Sequence, residues 1–261
     1  MNKKVLLRLL KPIRSQRFWE LVYRTALYKM NFGNGGNLYS SGELWVANFI
    51  KSQLEGEKRV ILFDVGANTG KYAIEMAKIF DENTSIYAFE PSKITFEKLK
   101  NSTAPFVQIT AVNLGFGAEK KEEKLYFNKE GSSLASIYQR NLEHYGIAMD
   151  QSEEIRLDRL DDYCISQKIS TVHFLKIDVE GHEMGVLQGA KHMLDRKLIH
   201  FIQFEFGGSH IDSRNYFQDF YFFLSPNYRI YRILADGLHE IKKYDEMHEI
   251  FMAINYLAIR K

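Results

Sequence analysis

Asp64 closes an apolar run in ILFDVGANTGKYA (residues 61–73), and Gly66 and Gly70 follow it four residues apart. Glycines placed this way let backbone approach a ligand closely and let a helix pack on the preceding strand. The dinucleotide fingerprint G-x-G-x-x-G makes a narrow turn that seats a pyrophosphate on a helix N-terminus. This chain has D-x-G-x-x-x-G instead, a wider loop with a carboxylate in front. A carboxylate repels a pyrophosphate and suits a ligand with positive charge, such as the ammonium of an amino-acid moiety. S-adenosylmethionine carries an ammonium and a sulfonium and no phosphate. Glu90, in YAFEPS, stands 24 residues after Gly66. An acid there can accept both hydroxyls of a ribose, and its plainer role is a surface acid capping the helix near Ser92.

The elements that must position these residues alternate. RVILFDV (59–65) reads as a continuous apolar strand, buried on both faces of a parallel sheet. TGKYAIEMAKIF (69–80) has apolar residues at helical spacing. SIYAFE (85–90) is a second strand, and PSKITFEKLKN a helix with Pro91 near its start, where a missing N–H costs little. FVQITAVN (106–113), TVHFLKIDV (171–179) and LIHFIQFEF (198–206) read as further strands, with a helix in HEMGVLQGAKHML. YRIYRIL and IFMAINYLAIR read as strands near the end. Residues 114–158 are mostly polar, with a strand expected at KLYF. Strand and helix at βαβ spacing predict an α/β fold with a mainly parallel sheet. Residues 1–50 are expected to form a helical N-terminal extension or lid, and 51–261 the main domain.

Composition sets the outer bounds. Apolar (45%) and charged (26%) fractions are ordinary for a globular domain, and 261 residues suffice for a sizeable core. A net charge of +2 gives no case for a nucleic-acid partner. The single cysteine, Cys164, excludes an intramolecular disulfide and a cysteine-rich zinc site, and a cytoplasmic location fits. Charge is concentrated at the start: residues 1–30 hold eight Lys/Arg and one acid. MNKKVLLRLLKPIR has a short apolar run interrupted by Arg8 and reads as no signal peptide. It can form a basic amphipathic helix on an anionic membrane surface, reaching an acceptor there such as a lipid-linked glycan. The plainer reading is a first helix docked by its leucines.

FDVGANTGKYA, YAFEPS and LKIDVEGHE, in this order and spacing, resemble the FkbM family of S-adenosylmethionine-dependent methyltransferases. SSGE (40–43) and GSSLAS (131–136) fall where that family has matching segments. The resemblance implies a class I methyltransferase, Rossmann-like fold: seven strands in the order 3-2-1-4-5-7-6, the last antiparallel, with helices on both faces. It implies O-methylation, most often of a sugar in a glycan or glycoconjugate, or of a small natural product. For the cofactor it implies that Asp64, Gly66 and Asn68 line the methionine part and that Glu90 takes the ribose. Ser92 and Asn113 lie near the adenine, with Leu114 or Phe116 against the ring. Ser132 or Ser133 closes over adenine or substrate, Asp178 sits beside the transferred methyl, and Glu43 reaches in from the lid.

A sugar hydroxyl is a poor nucleophile until its proton is taken, so a general base or a metal is expected. Asp178, Glu180 and His182 lie together in KIDVEGHE; Glu205 ends the fifth strand, next to the fourth in the implied order; His210 follows. Asp178 and Glu205 can hold a divalent cation such as Mg2+ through oxygen ligands, or orient the substrate without one. His182 and His210 are candidate bases; a polar residue in a first helical turn is the plainer role for His182. The aromatic residues at 216–223 are expected mostly in the core, a few on a sugar-binding face. Two other classes differ in what they bind: a dehydrogenase would bind a nicotinamide cofactor, and a scaffold would bind S-adenosylmethionine without turning it over.

Overall fold

The computed structural model describes residues 15–261 of the chain. The basic segment 1–14 lies outside the described residues. Strands β1 (Val60–Val65), β2 (Thr84–Phe89), β3 (Ile109–Val112), β7 (Val172–Ile177) and β8 (Ile199–Phe206) pair in parallel. β9 (Tyr228–Leu234), β10 (Gly237–Glu240) and β11 (Ile254–Arg260) complete the sheet. Its order is β10-β9-β11-β8-β7-β1-β2-β3, with β11 antiparallel to both neighbours. Seven of these strands follow the order implied above. The eighth, β10, corrects the count of seven: it pairs back on β9 after a two-residue connection, Ala235–Asp236. An Asp-Gly turn signal at 236–237 accompanies it.

Alternation along the central strands separates two cores. Phe63 and Val65 of β1 point into one, with α5 (Leu160–Ser166), α6 (Glu183–Gly189), α7 (Lys191–Asp195) and α9 (Phe217–Leu224) packed there through Leu160, Val186, Leu194 and Phe217. Val60 and Leu62 point into the other, under α2 (Glu43–Gln53), α3 (Lys71–Ile79) and α4 (Lys93–Thr103), which contribute Ile50, Met76 and Leu99. Helices therefore cover both faces, and β1 and β7 are mostly apolar because every position in them is buried. Helix α2 crosses residue 50 and belongs to this core through Val46, Ala47 and Ile50.

The polar stretch 114–158 is a second sheet of three strands, β4 (Gly115–Phe116), β6 (Gln151–Asp158) and β5 (Lys121–Phe127). Only Leu125, Ile155 and Leu157 are buried in its small core, which is why its strands carry so many charges. The helix expected over HEMGVLQGAKHML is broken at Ala190 into α6 and α7. α1 (Gln16–Lys29) and α8 (Ser209–Ser213) complete the described elements used below.

Candidate active site at the carboxyl ends of the strands

One cavity of about 610 Å³ opens at the carboxyl ends of β1, β2, β7 and β8. In open α/β sheets this is where ligands bind, because loops there diverge to either side. β1 brings Asp64 to its floor. Gly66, next but one, has φ +83°, and a Cβ on it would run into the Asp178 carbonyl. The loop therefore needs glycine to pass beside β7. Asn68 is also left-handed (φ +48°), and its N–H donates to Glu90 Oε2 at 3.0 Å.

Asp64 is 1% exposed, and among the described residues neither of its oxygens has a hydrogen-bond partner within 3.5 Å. Burial raises its pKa, opposed by Lys176, whose Nζ lies 3.7 Å from Oδ1. A buried acceptor without a donor is costly unless a ligand supplies one. The ammonium of S-adenosylmethionine is such a donor, so this residue fits that cofactor. Glu90 accepts N–H groups from Asn68 and Ser92, the latter at 2.9 Å; burial nevertheless pushes its carboxyl up to about 7. Two N–H donors leave lone pairs on a carboxylate free for ribose hydroxyls. Ser92 also lines the cavity while capping α4 through Thr95 N–H.

The other end of the cavity is acidic. Asp178, Glu180 and Glu205 each offer an oxygen, and these oxygens lie within 4.8 Å of one another. Burial and then the charge of Asp178 lift Glu180 to about 8, against the pull of Arg140. Burial lifts Glu205 well above the ordinary carboxylate range, and Asp178, Glu180 and Glu183 add to it. Glu43 lines the cavity, fixed by Ser41 Oγ at 2.9 Å and Gln203 Nε2 at 2.7 Å; burial raises it too. Lys176 answers these acids: its Nζ donates to Asp178 Oδ2 at 3.0 Å and lies over the Tyr72 ring. Burial would lower its pKa, but Asp178, Asp64 and Glu43 together raise it.

Several residues stand elsewhere than expected. His210 does not line the cavity. It is 1% exposed, with Nε2 3.0 Å from Glu183 Oε2 and Nδ1 accepting the Gly207 N–H. Glu183 in turn accepts N–H groups of Val179 and Gly181, so the pair holds the turn that presents Asp178 and Glu180. Burial would raise Glu183, but the His210 ring and these donors hold it below the ordinary value. Asn113 does not line the cavity either; its amide braces the Glu90 and Pro91 carbonyls. Leu114 packs on the core, while Gly115 and Phe116 reach the cavity. His182 lines it, but Nδ1 faces Tyr138 Oη at 3.3 Å and Nε2 is enclosed near Gly117. In α9, Phe217 and Phe220 are core and Tyr221, Phe222 and Phe223 stay outside this cavity.

Three contributors escaped the sequence. Lys176 was signalled only by being a cation inside an apolar strand. Arg140 lines the cavity and donates to Glu180 Oε2 at 2.6 Å. Ser136, 0% exposed, donates to the Glu180 carbonyl at 2.7 Å. With Asn68 Nδ2 on the Ser132 carbonyl at 3.3 Å, segment 131–140 straps the loop after β1 to the acidic end. Ser132 and Ser133 both line the cavity from this strap. Segment 207–250 contributes only Gly208 and Ser209 to its lining.

A family model described as the Methyltransferase FkbM domain matches residues 64–234. The hexuronic acid methyltransferase AglP of Haloferax volcanii is 30% identical over 142 residues, 54% of this chain and 54% of that protein. Methyltransferase 1 of Beauveria bassiana is 29% identical over 143 residues, 49% of this chain and 57% of that one. The chain thus matches little more than half the length of these curated relatives. Methyltransferase FkbM from Methylobacillus flagellatus KT aligns with a TM-score of 0.46 at 16% identity, over 77% of this chain and 44% of that one. A SAM-dependent methyltransferase from Aquifex aeolicus aligns with a TM-score of 0.46 at 10% identity, over 86% and 92%. The family match runs from Asp64 at the end of β1 to the end of β9, well over half of the chain, and the protein belongs to the FkbM methyltransferase domain family.

Proposed function

We propose that the protein transfers the methyl group of S-adenosylmethionine to a hydroxyl of a sugar in a glycan or glycoconjugate. The observation that carries this reading is one cavity joining the buried Asp64 carboxylate and Glu90 to the Asp178–Glu180–Glu205 cluster. Asp64 suits the ammonium of the cofactor and Glu90 its ribose. Phe116, Leu125 and Leu157 give an apolar wall for a flat base. The cofactor supplies an electrophilic methyl on a good leaving group. What remains for the chain is to place a hydroxyl in line, take its proton and exclude water. Glu180 stands in that cluster, and burial and the charge of Asp178 raise its affinity for a proton, which suits a carboxylate that takes one from the acceptor. Lys176 holds Asp178 in place to orient the hydroxyl. The name of the Haloferax relative, a hexuronic acid methyltransferase, supports a sugar as the acceptor.

A metal-assisted version is the second reading, favoured by the closeness of the three carboxylates. A divalent cation takes carboxylate oxygens readily, and Asp178, Glu180 and Glu205 would hold it. It would polarise the acceptor hydroxyl and lower its pKa. Incubation with labelled S-adenosylmethionine and a panel of glycans tests both. Label appearing on a glycan hydroxyl is the expected result. Label on small natural products but on no glycan would overturn the sugar reading. Calorimetric binding of the cofactor without transfer to any acceptor would make the protein a binder.

A further inference from the structure

Helix α1 stands off the domain. Leu27 is buried, whereas Leu21 is 64% exposed, Tyr28 68%, Val22 40% and Phe18 38%. At the helical repeat these four exposed residues share an arc of about 120°, the width of an apolar stripe that normally faces a partner. Arg17 and Arg24 flank that stripe on one edge, and Lys29 lies at its C-terminal end. Upstream, residues 1–14 add five basic residues and no acid. Residues 1–30 carry +7 against a total of +2, so the rest of the chain is net acidic. Basic charge and uncovered apolar surface therefore coincide in one short stretch. Helix α1 also leads directly into residues 30–43, where Gly35, Gly36, Leu38 and Glu43 line the cavity.

We propose that α1 docks on an anionic lipid bilayer. Phe18, Leu21, Val22 and Tyr28 enter the boundary between headgroups and acyl chains, and Arg17, Arg24 and Lys29 meet the lipid phosphates. An apolar face edged by Arg/Lys is the pattern of an interfacial helix, which lies in the membrane plane without spanning it. Among the described residues no helix is long and apolar enough to cross a membrane. A second copy fits this face poorly, because a two-fold contact would set one +7 segment against another. The docked helix would hold the cavity close to the lipid surface.

Co-sedimentation of the full chain with phosphatidylcholine vesicles, with and without phosphatidylserine, tests the proposal. Wild type should bind the anionic vesicles, and less so at high salt, since charges are screened over about 8 Å at physiological ionic strength. Arg17→Glu/Arg24→Glu should lower partitioning at least about tenfold, and Leu21→Glu/Tyr28→Glu should abolish it. These positions are exposed, so unchanged thermal unfolding confirms that both variants fold. Equal sedimentation of wild type and both variants would overturn the proposal, as would equal binding to neutral vesicles. A concentration-dependent dimer lost in Leu21→Glu/Tyr28→Glu, without vesicle binding by wild type, would assign the face to a second copy instead.

Discussion

Lys176 Nζ lies 3.0 Å from Asp178 Oδ2, two residues along the same strand end, and draws that carboxylate back over β7. The same ammonium is 3.7 Å from Asp64 Oδ1, so one buried cation serves both these acids of the cavity. Asp64, buried beside it, could not be held there cheaply without that cation.

Lys176→Met should therefore cost stability before it costs chemistry. Removing one partner of a buried ionic cluster costs about 3–5 kcal/mol. In a domain of this size each kcal/mol lowers Tm by roughly 2–4 °C. Thermal unfolding followed by circular dichroism should show the loss. An unchanged Tm would mean that the buried Asp64 does not depend on Lys176 in the folded protein.

Asp178→Asn should leave the fold intact and lower turnover at least about a hundredfold. A capping role predicts near-normal activity, because Asn caps as well as Asp. The structure shows no side-chain cap on α6; Glu183 holds that turn instead. Turnover and Tm measured on one preparation separate the two roles.

Asp64→Ala should weaken cofactor binding tenfold to a hundredfold, about 1.5–3 kcal/mol for a charge-assisted hydrogen bond. Calorimetric titration with S-adenosylmethionine gives the number. Equal affinity in the variant would remove Asp64 from the site.

Glu90 predicts a pH dependence with opposite signs for stability and binding. Its folded pKa is about 7 against an ordinary 4.5, raised by burial. The folded state thus keeps a proton that the unfolded chain has released. This group's stabilisation is complete below pH 4.5 and is lost as pH rises to about 7. Ribose hydroxyls donate best to the ionised carboxylate, so cofactor affinity should rise between about pH 6 and 8. Glu90→Gln should flatten both profiles, and a binding profile unchanged by that substitution would rule the ribose contact out.

Chelation separates the two versions of the reaction. If Asp178, Glu180 and Glu205 hold a cation, EDTA should abolish transfer and Mg2+ should restore it, while cofactor affinity stays within a few-fold. Full activity in EDTA would leave proton removal to the carboxylates alone.

The sequence by itself determined what is local. The wide glycine loop after Asp64, the acid ending β2 and the acid after β7 are each read within a dozen residues, because strand periodicity and turn chemistry act over that range. Seven of the eight sheet positions follow the order that the family resemblance implies. Tertiary structure alone decided which charges meet. Lys176 finds Asp64 across two parallel strands, Arg140 finds Glu180 from the small sheet's strap, and His210 turns from the cavity to Glu183. In the sequence His182 and His210 were both candidate bases; in the structure His182 lines the cavity and His210 does not. These pairings join residues up to 112 apart, as Asp64 and Lys176 are. They arise because a buried charge must find a partner or a ligand, and only the packed fold fixes which one is in reach.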